Sequence, residues 1–354
     1  MILPNHETRK YTGIVLERIR HLPPGGKMGD LPSHLQHESF VRTGDKKTGG
    51  PNMRLIRLEH NEPSLTVTAY IFNKFVHPTE DRCITPREAA VLQDFPLDYA
   101  FVGTLGQVQK QIGNAVPVGL ARAVAEEVKK YLQKNGFLGI ARIASYFSGA
   151  GGLDLGFEKA SDDCINFETC FSTDIEEWAE FTINKNRNYW NFHRADITQL
   201  APETVLDFIK KRPDVIIGGP PCQPFSVAGK QRATQDPLGV LYRDYIRHIQ
   251  FLQPKIVVME NVYGLAQIKG VNMIEEIYKS FHTIGYEVKH QELMAADYGV
   301  PQKRRRLFFI AAKNLAGFSF PMPTHSEQEN LLGLPLYRGA GASLCALPAP
   351  IYRD

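Results

Sequence analysis

The sequence predicts an α/β protein: a largely parallel sheet with helices on both faces, joined to a small, irregular, β-rich unit. Three observations predict it. Residues 140–317 alternate short apolar runs with amphipathic stretches, the signature of βαβ units. A glycine-rich turn follows the first apolar run, where such folds place a ligand. Residues 1–81 are rich in Gly, Pro, His and Arg and carry no regular helical period.

Composition sets bounds on function. The chain has 354 residues, 43% hydrophobic and 22% charged, with a net charge of +3. That length suits one large unit and a smaller one, and the mild basicity is compatible with nucleic acid or with ordinary solvated faces. No run is long and apolar enough to span a bilayer, and Met1–Lys10 has no apolar core of a signal peptide. Five scattered cysteines form no C-x-x-C pair. This predicts a reducing cytoplasm, no metal and no disulfide framework.

The elements follow in order. In residues 1–81, "RLIRLEH" and "LTVTAYI" read as short strands between the turn signals "LPPGG" and "KKTGGP". Residues 82–135 read as helical. "TPREAAVLQDF" offers Thr85 as N-cap, Pro86 at the first helical position and Glu88 in the capping-box position. "PVGLARAVAEEVKKYLQKNG" starts at a proline and stops at Asn135-Gly136. In 140–317 the strands are "IARIASYF", "TCFSTDI", "VIIGG", "IVVMEN" and "RLFFIAA", with "EEWAEFTINKN" and "LYRDYIRHIQFL" among the helices between them. The tail, 318–354, is rich in Pro, Gly and Leu without a period.

Several stretches carry chemistry. "ASYFSGAGGLDLGFE" runs from a strand into Gly149, Gly151 and Gly152, giving either a nucleotide-like cofactor turn or a plain strand–helix turn. Its spacing is not that of a pyrophosphate-binding loop. Asp174 and Asp196 end the following strands, as ligands for a ribose and an exocyclic amine or as helix caps. Together with the glycine turn they outline an adenosine-shaped site without phosphate binders, which fits S-adenosylmethionine better than NAD or ATP. In "DVIIGGPPCQPFS", Pro220 and Pro221 stiffen the backbone ahead of Cys222 at a strand's carboxyl end. A cysteine there is a candidate nucleophile rather than a buried small hydrophobe. Glu260 ends "IVVMEN", where a carboxyl at an apolar rim can shuttle a proton. "QKRRRLFFI" leads Arg304, Arg305 and Arg306 into an apolar strand.

With these residues in hand, the chain resembles the DNA cytosine-5 methyltransferases. "FSGAGGLDLGFE", "GGPPCQPFS", "ENV" and "QKRRR" are similar to that family's first, fourth, sixth and eighth motifs. "RCITPREAAVLQDFP" and "QIGNAVP" are similar to its ninth and tenth. The resemblance implies a Rossmann-like sheet binding S-adenosylmethionine and a duplex-DNA substrate whose target cytosine is flipped out of the stack. It implies that Cys222 attacks carbon-6, that Glu260 holds ring nitrogen 3, that Arg306 bonds the base carbonyl and that Arg304 supports the same pocket. Carbon-5 then takes the methyl group, and elimination frees Cys222.

The cofactor set implied begins with Phe147 stacking on adenine, with Ser148, Gly149, Gly151, Gly152 and Leu153 forming the turn. Asp174 holds the ribose beside Ile175, and Asp196 holds the adenine amine beside Ile197. Pro220, Asn114 and Ala115 complete the set. Gln223 and Ser226, together with Arg54 and Arg57, are candidate DNA contacts, as are Arg42, Lys46 and Lys47. The loop from about Gln223 to Gly239 is expected to close over DNA.

The chain departs from the family pattern at Ser145, where many members carry Asp, at Ile175, where a Trp is common, and at Leu238, where the mobile loop usually has Arg. It also departs in order, because the ninth and tenth motifs precede the first. This predicts a circularly permuted member. Its target-recognition domain is 1–81 with the tail 318–354, its ninth and tenth motifs lie in 82–135, and its catalytic domain is 140–317. The expected function is a monomeric restriction-modification methylase acting on nucleoid DNA in the cytoplasm, beside a separate cognate restriction endonuclease. The alternatives are an RNA cytosine-5 methyltransferase, whose Cys-Phe-Thr signature is not found, a catalytically silent DNA-binding module, and a dinucleotide oxidoreductase.

Overall fold

The computed structural model describes residues 3–37, 55–69, 74–221, 239–267 and 272–353. They divide into two compact units. The larger holds 115–295 and 305–323; the smaller holds 1–114, 296–304 and 324–354. The division therefore falls at Asn114, not at residue 81. The helix Pro86–Leu92 stays with the small unit because Arg87 inside it donates to the carbonyls of Pro4, Pro96 and Tyr99.

In the larger unit a helix, α1 (Val118–Lys134), leads into strand β1 (Gly139–Tyr146). The helix ends as the sequence predicts. Gly136 takes φ +78°, its N–H donates to Gln133, and the Phe137 N–H donates to Leu132, which satisfies the last carbonyls. Helix α2 (Gly152–Ala160) and strand β2 (Ile165–Thr173) come next, then α3 (Glu177–Arg187), α4 (Pro202–Ile209) and β3 (Val215–Gly218). Helix α5 (Val240–Leu252), β4 (Ile256–Val262), α6 (Met273–Thr283), β5 (Glu287–Met294) and β6 (Arg305–Ala312) complete it.

The six strands form one sheet in the order β2-β1-β3-β4-β6-β5. β2, β1, β3 and β4 are parallel, while β6 runs antiparallel to both β4 and β5. Both faces are covered. Ala144, Ile216, Val257 and Phe309 pack with Tyr245, Ile249 and Phe281 from α5 and α6. Strand residues of opposite parity, Ile143, Ile217, Val258 and Phe308, are equally buried. On α2, Gly156 lets α1 cross closely, since a Cβ there would lie 2.3 Å from the Ala121 Cβ.

The small unit has minimal strands. Glu7–Arg9 pairs in parallel with Ile351–Arg353, Ile56–Arg57 with Phe75–Val76, and Ser64–Leu65 with Gln302–Lys303. Its core gathers Ile19, Leu22, Met28, Leu31, Leu35, Leu55, Val76 and Cys83. Thr85 forms the predicted capping box: its hydroxyl accepts from the Glu88 N–H at 3.1 Å, and Glu88 accepts from the Thr85 N–H at 2.7 Å.

Candidate cofactor and base site

In the larger unit the strand order reverses between β1 and β3, so the carboxyl ends of these strands flank a crevice. β1 breaks at Phe147, which sits in the left-handed region at φ +55°. A bulky residue adopts that conformation only when its surroundings fix it, and such strain gathers at functional turns. Gly149 at φ +52° and Gly151 at φ +74° continue the turn into α2. A Cβ on Gly149 would meet nothing within 4 Å, so this side of the turn is open to a ligand.

Asp174, at the end of β2, is tied to the turn. Its Oδ2 accepts from the Gly149 N–H at 2.9 Å and its Oδ1 from the Glu176 N–H at 3.1 Å. Burial raises its pKa above the ordinary carboxylate value, and these backbone donors oppose the rise. An ionised carboxylate has lone pairs enough to accept ribose hydroxyls as well. Asp196 is half-buried, and its Oδ1 accepts from the Thr198 N–H at 2.9 Å, an Asx turn that fixes the carboxylate. Ile175 is 62% exposed, while the side chains of Leu153 and Ile197 are buried, so the last two offer a ligand only their backbone.

The residues present therefore fit an adenosine-bearing cofactor: an open turn, two fixed acids and an aromatic ring. Ser148, expected in this turn from the family resemblance, ties the turn to the sheet. Its hydroxyl donates to Ser145 Oγ at 3.0 Å and accepts from the Thr173 N–H at 3.2 Å, joining β1 to β2.

Beside β3, Gly219 approaches Glu260, since a Cβ on Gly219 would lie 3.1 Å from Glu260 Oε2. Glu260 is 9% exposed, and its Oε1 takes the Arg306 Nε at 2.7 Å. Arg306 also donates to the Arg305 carbonyl. The acid and the arginine expected to hold one base thus hold each other across the β4–β6 pair. Asn261 is a functional residue the sequence marks only by its place after Glu260: its Nδ2 donates to the Pro220 carbonyl at 3.1 Å, anchoring the segment that leads to Cys222. Cys222, Gln223, Ser226, Arg54, Arg42, Lys46, Lys47 and Leu238 lie outside the described residues.

Two arginines of the small unit depart from expectation. Arg57, expected at DNA, is turned into the unit's interior. It is 6% exposed and donates to the carbonyls of Ile19, Leu22, His77 and Glu80 and to Asp81. Reaching a phosphate would break all of these bonds. Arg304 is fully buried and donates to the carbonyls of Val67 and Gly113, at 2.6 and 2.8 Å, so it touches no substrate from this position. It braces the end of the helix Leu105–Asn114, whose last residue, Asn114, is exposed; Ala115 falls in the larger unit and is buried.

The type II methyltransferase M.FnuDI of Fusobacterium nucleatum is 37% identical over 194 residues, covering 54% of this chain and 53% of that protein. The type II methyltransferase M1.HphI of Haemophilus parahaemolyticus is 41% identical over 184 residues, covering 51% and 48%. The type II methyltransferase M.AquIA of Picosynechococcus is 33% identical over 207 residues, covering 55% of this chain and 82% of that protein. The chain thus spans about half the length of the first two curated relatives. A family model described as C-5 cytosine-specific DNA methylase matches residues 9–130 and 141–333, which take in both the glycine turn with its acids and the Glu260–Arg306 pair. With the match covering most of the sequence, the chain belongs to the C-5 cytosine-specific DNA methylase family.

Proposed function

We propose that this protein methylates carbon-5 of a cytosine in duplex DNA. The observation that carries the reading is the Glu260–Arg306 pair, held at 2.7 Å beside Gly219, three residues before Cys222 in the sequence. When bound, S-adenosylmethionine supplies an electrophilic methyl group. The chain's own residues do the rest. Phe147, the Gly149 turn, Asp174 and Asp196 orient the adenosine. Cys222, as thiolate, adds to carbon-6 of a flipped base and is later expelled when the carbon-5 proton leaves. Glu260, protonated, donates to ring nitrogen 3, gives up its proton there as electron density gathers at carbon-5, and takes it back when Cys222 is expelled. Base entry exchanges the Arg306–Glu260 contact for contacts to the ring, so the charges of the pair are already desolvated and oriented.

The test is bisulfite sequencing of plasmid DNA from cells expressing the chain. Methylation at one sequence context is expected, absent with Cys222→Ala, and an adduct with 5-fluorocytosine DNA is expected only when Cys222 is present. Methylation by the Ala variant at a comparable rate would sink the mechanism.

We also read the chain as a circularly permuted member with a recognition domain built from head and tail, acting as a restriction-modification methylase beside a separate endonuclease. Parallel pairing of Glu7–Arg9 with Ile351–Arg353 supports this, since it brings the two chain regions into one unit. Opening the chain between Gly136 and Gly139 and linking tail to head through a short Gly/Ser segment is expected to keep activity and sequence context. A folded rearranged protein with a different context, or none, would count against it.

A further inference from the structure

The turn Asp196–Leu200 closes on itself through its N–H groups. The Asp196 carbonyl accepts from the N–H groups of Gln199 and Leu200, each at 3.0 Å, and the Asp196 Oδ1 accepts from that of Thr198. The carbonyls of Ile197 and Leu200 take donors from helix α5 instead. Arg247 Nη2 donates to them at 3.2 and 3.1 Å, and His248 Nε2 donates to the Leu200 carbonyl at 3.0 Å. Ile197 and Leu200 are buried, where a carbonyl without a donor is costly. Arg247 is steadied by Asp244 one turn earlier, with Nε 3.0 Å from Oδ1. The same helix also meets the end of β1. The Tyr245 ring stands edge-on to Phe147, 6.1 Å between centroids, and His248 Nδ1 accepts from the hydroxyl of Tyr146, the residue before Phe147, at 3.0 Å.

We propose that Arg247 is a positioning residue for the cofactor, setting the Asp196 carboxylate relative to Phe147 as an adenine ring requires. The inference rests on the cofactor site proposed above, in which Phe147 stacks on the ring and Asp196 accepts the exocyclic amine. Two features favour alignment over plain stability. An arginine on a half-buried helix face gains little from an i−3 partner such as Asp244. Here its Nη2 also reaches two carbonyls, 50 and 47 residues away in the sequence. Second, the bonds inside the turn fix its shape but not its place. The place is fixed upstream by the Ala195 N–H, which donates to the Asp174 carbonyl at 3.1 Å, and downstream by α5. One rigid helix thus ties the acid to the aromatic ring. A hydrogen bond weakens steeply as its angle closes, so a shifted turn is felt first at the amine and least in the rest of the cofactor.

The experiment is calorimetry on the full chain with two ligands, S-adenosylhomocysteine and S-inosylhomocysteine, in which an oxygen replaces the amine. Wild type is expected to favour the adenosyl ligand by about tenfold or more. Arg247→Met keeps the apolar stem and removes the donors. It is expected to cut that preference by about fivefold, with affinity for the inosyl ligand within about twofold of wild type. A merely structural loss would weaken both ligands alike. Adding Arg247→Met to Asp196→Ala is expected to cost little beyond Asp196→Ala alone, since both act through one contact. A folded Arg247→Met protein with the wild-type preference overturns the proposal, and so does full additivity with Asp196→Ala. Where Arg247→Met does not fold, Arg247→Gln decides by the same readouts. A wild type that binds neither ligand brings down the cofactor reading and this one together. One that binds both equally removes the role of Asp196 and this inference with it, whereas an unchanged preference in Arg247→Met removes only this inference.

Discussion

The two units solve the same problem by different means. In the larger unit the ladders of six strands satisfy the backbone, and polar side chains collect at the strand ends, where Asp174 and Glu260 stand. In the smaller unit the strands are two or three residues long and cannot pair most of the chain. There, buried arginines take over. Arg57 holds four carbonyls, Arg87 three and Arg304 two. Arg82 adds a buried ion pair with Glu88 at 2.7 Å. A guanidinium has five donors in a rigid fork, which suits irregular backbone better than any other side chain. An arginine in such a unit is therefore internal framework until its exposure is known, even in a DNA-binding family.

The sharpest break of this comparison is Arg57→Ala. It removes the guanidinium that serves four carbonyls and leaves Asp81 only its longer pairing with Arg20, and about 3–5 kcal/mol of stability should go, measured by urea unfolding of the purified chain. If unfolding is unchanged while the salt dependence of DNA binding falls by about one counterion, Arg57 is a phosphate contact and the comparison is wrong.

The next test falls on the larger unit. His248 is fully buried; its Nδ1 accepts from the Tyr146 hydroxyl at 3.0 Å and its Nε2 donates to the Leu200 carbonyl at 3.0 Å. Burial lowers its pKa to about 4. The unfolded chain binds this proton near pH 6.5 and the folded chain only near 4. Stability should therefore fall as pH drops through that window, by roughly 3 kcal/mol in all. His248→Phe is expected to flatten that part of the stability–pH profile. An unchanged acid slope would assign the loss to other groups.

The smallest expected effect is at a cap. Thr85→Ala removes one acceptor from the helix Pro86–Leu92 and a partner 2.9 Å from His6 Nδ1, for about 1–2 kcal/mol by thermal unfolding. A loss well above that would mean the cap is coupled to the arginine framework through Glu88.

What was legible in the sequence was local or repeated. Val215–Ile217, Ile256–Met259 and Leu307–Ala312 are continuous apolar runs because they are buried on both faces. The Thr85 box and the Gly136 stop lie within a few residues of the helices they end. Strand β5 carries no such signal, because "EVKHQELM" lies at the sheet's edge and is mostly polar, with only Val288, Leu293 and Met294 apolar. Asp174 and Glu260 could be picked out by their places at strand ends, but their partners Gly149 and Arg306 are remote in sequence and meet them only in the fold. Arg57 misled for the same reason. Carbonyls leave no mark in a sequence, so an arginine that binds them looks like one that awaits a phosphate.

The close crossing at Gly156 also has a kinetic consequence. Helix α1, strand β1 and helix α2 are consecutive, and α1 meets α2 through Ala121 and Gly156 after only one strand and two tight turns. Bringing these helices together closes a short loop, which sacrifices little chain entropy and lowers the mean sequence separation of contacts. A chain in which α1 came last would have to search across the whole sheet to make the same contact. This motif order makes the helix pair beneath the cofactor turn a local structure, one that can assemble before the long-range strand pairings of β4, β5 and β6.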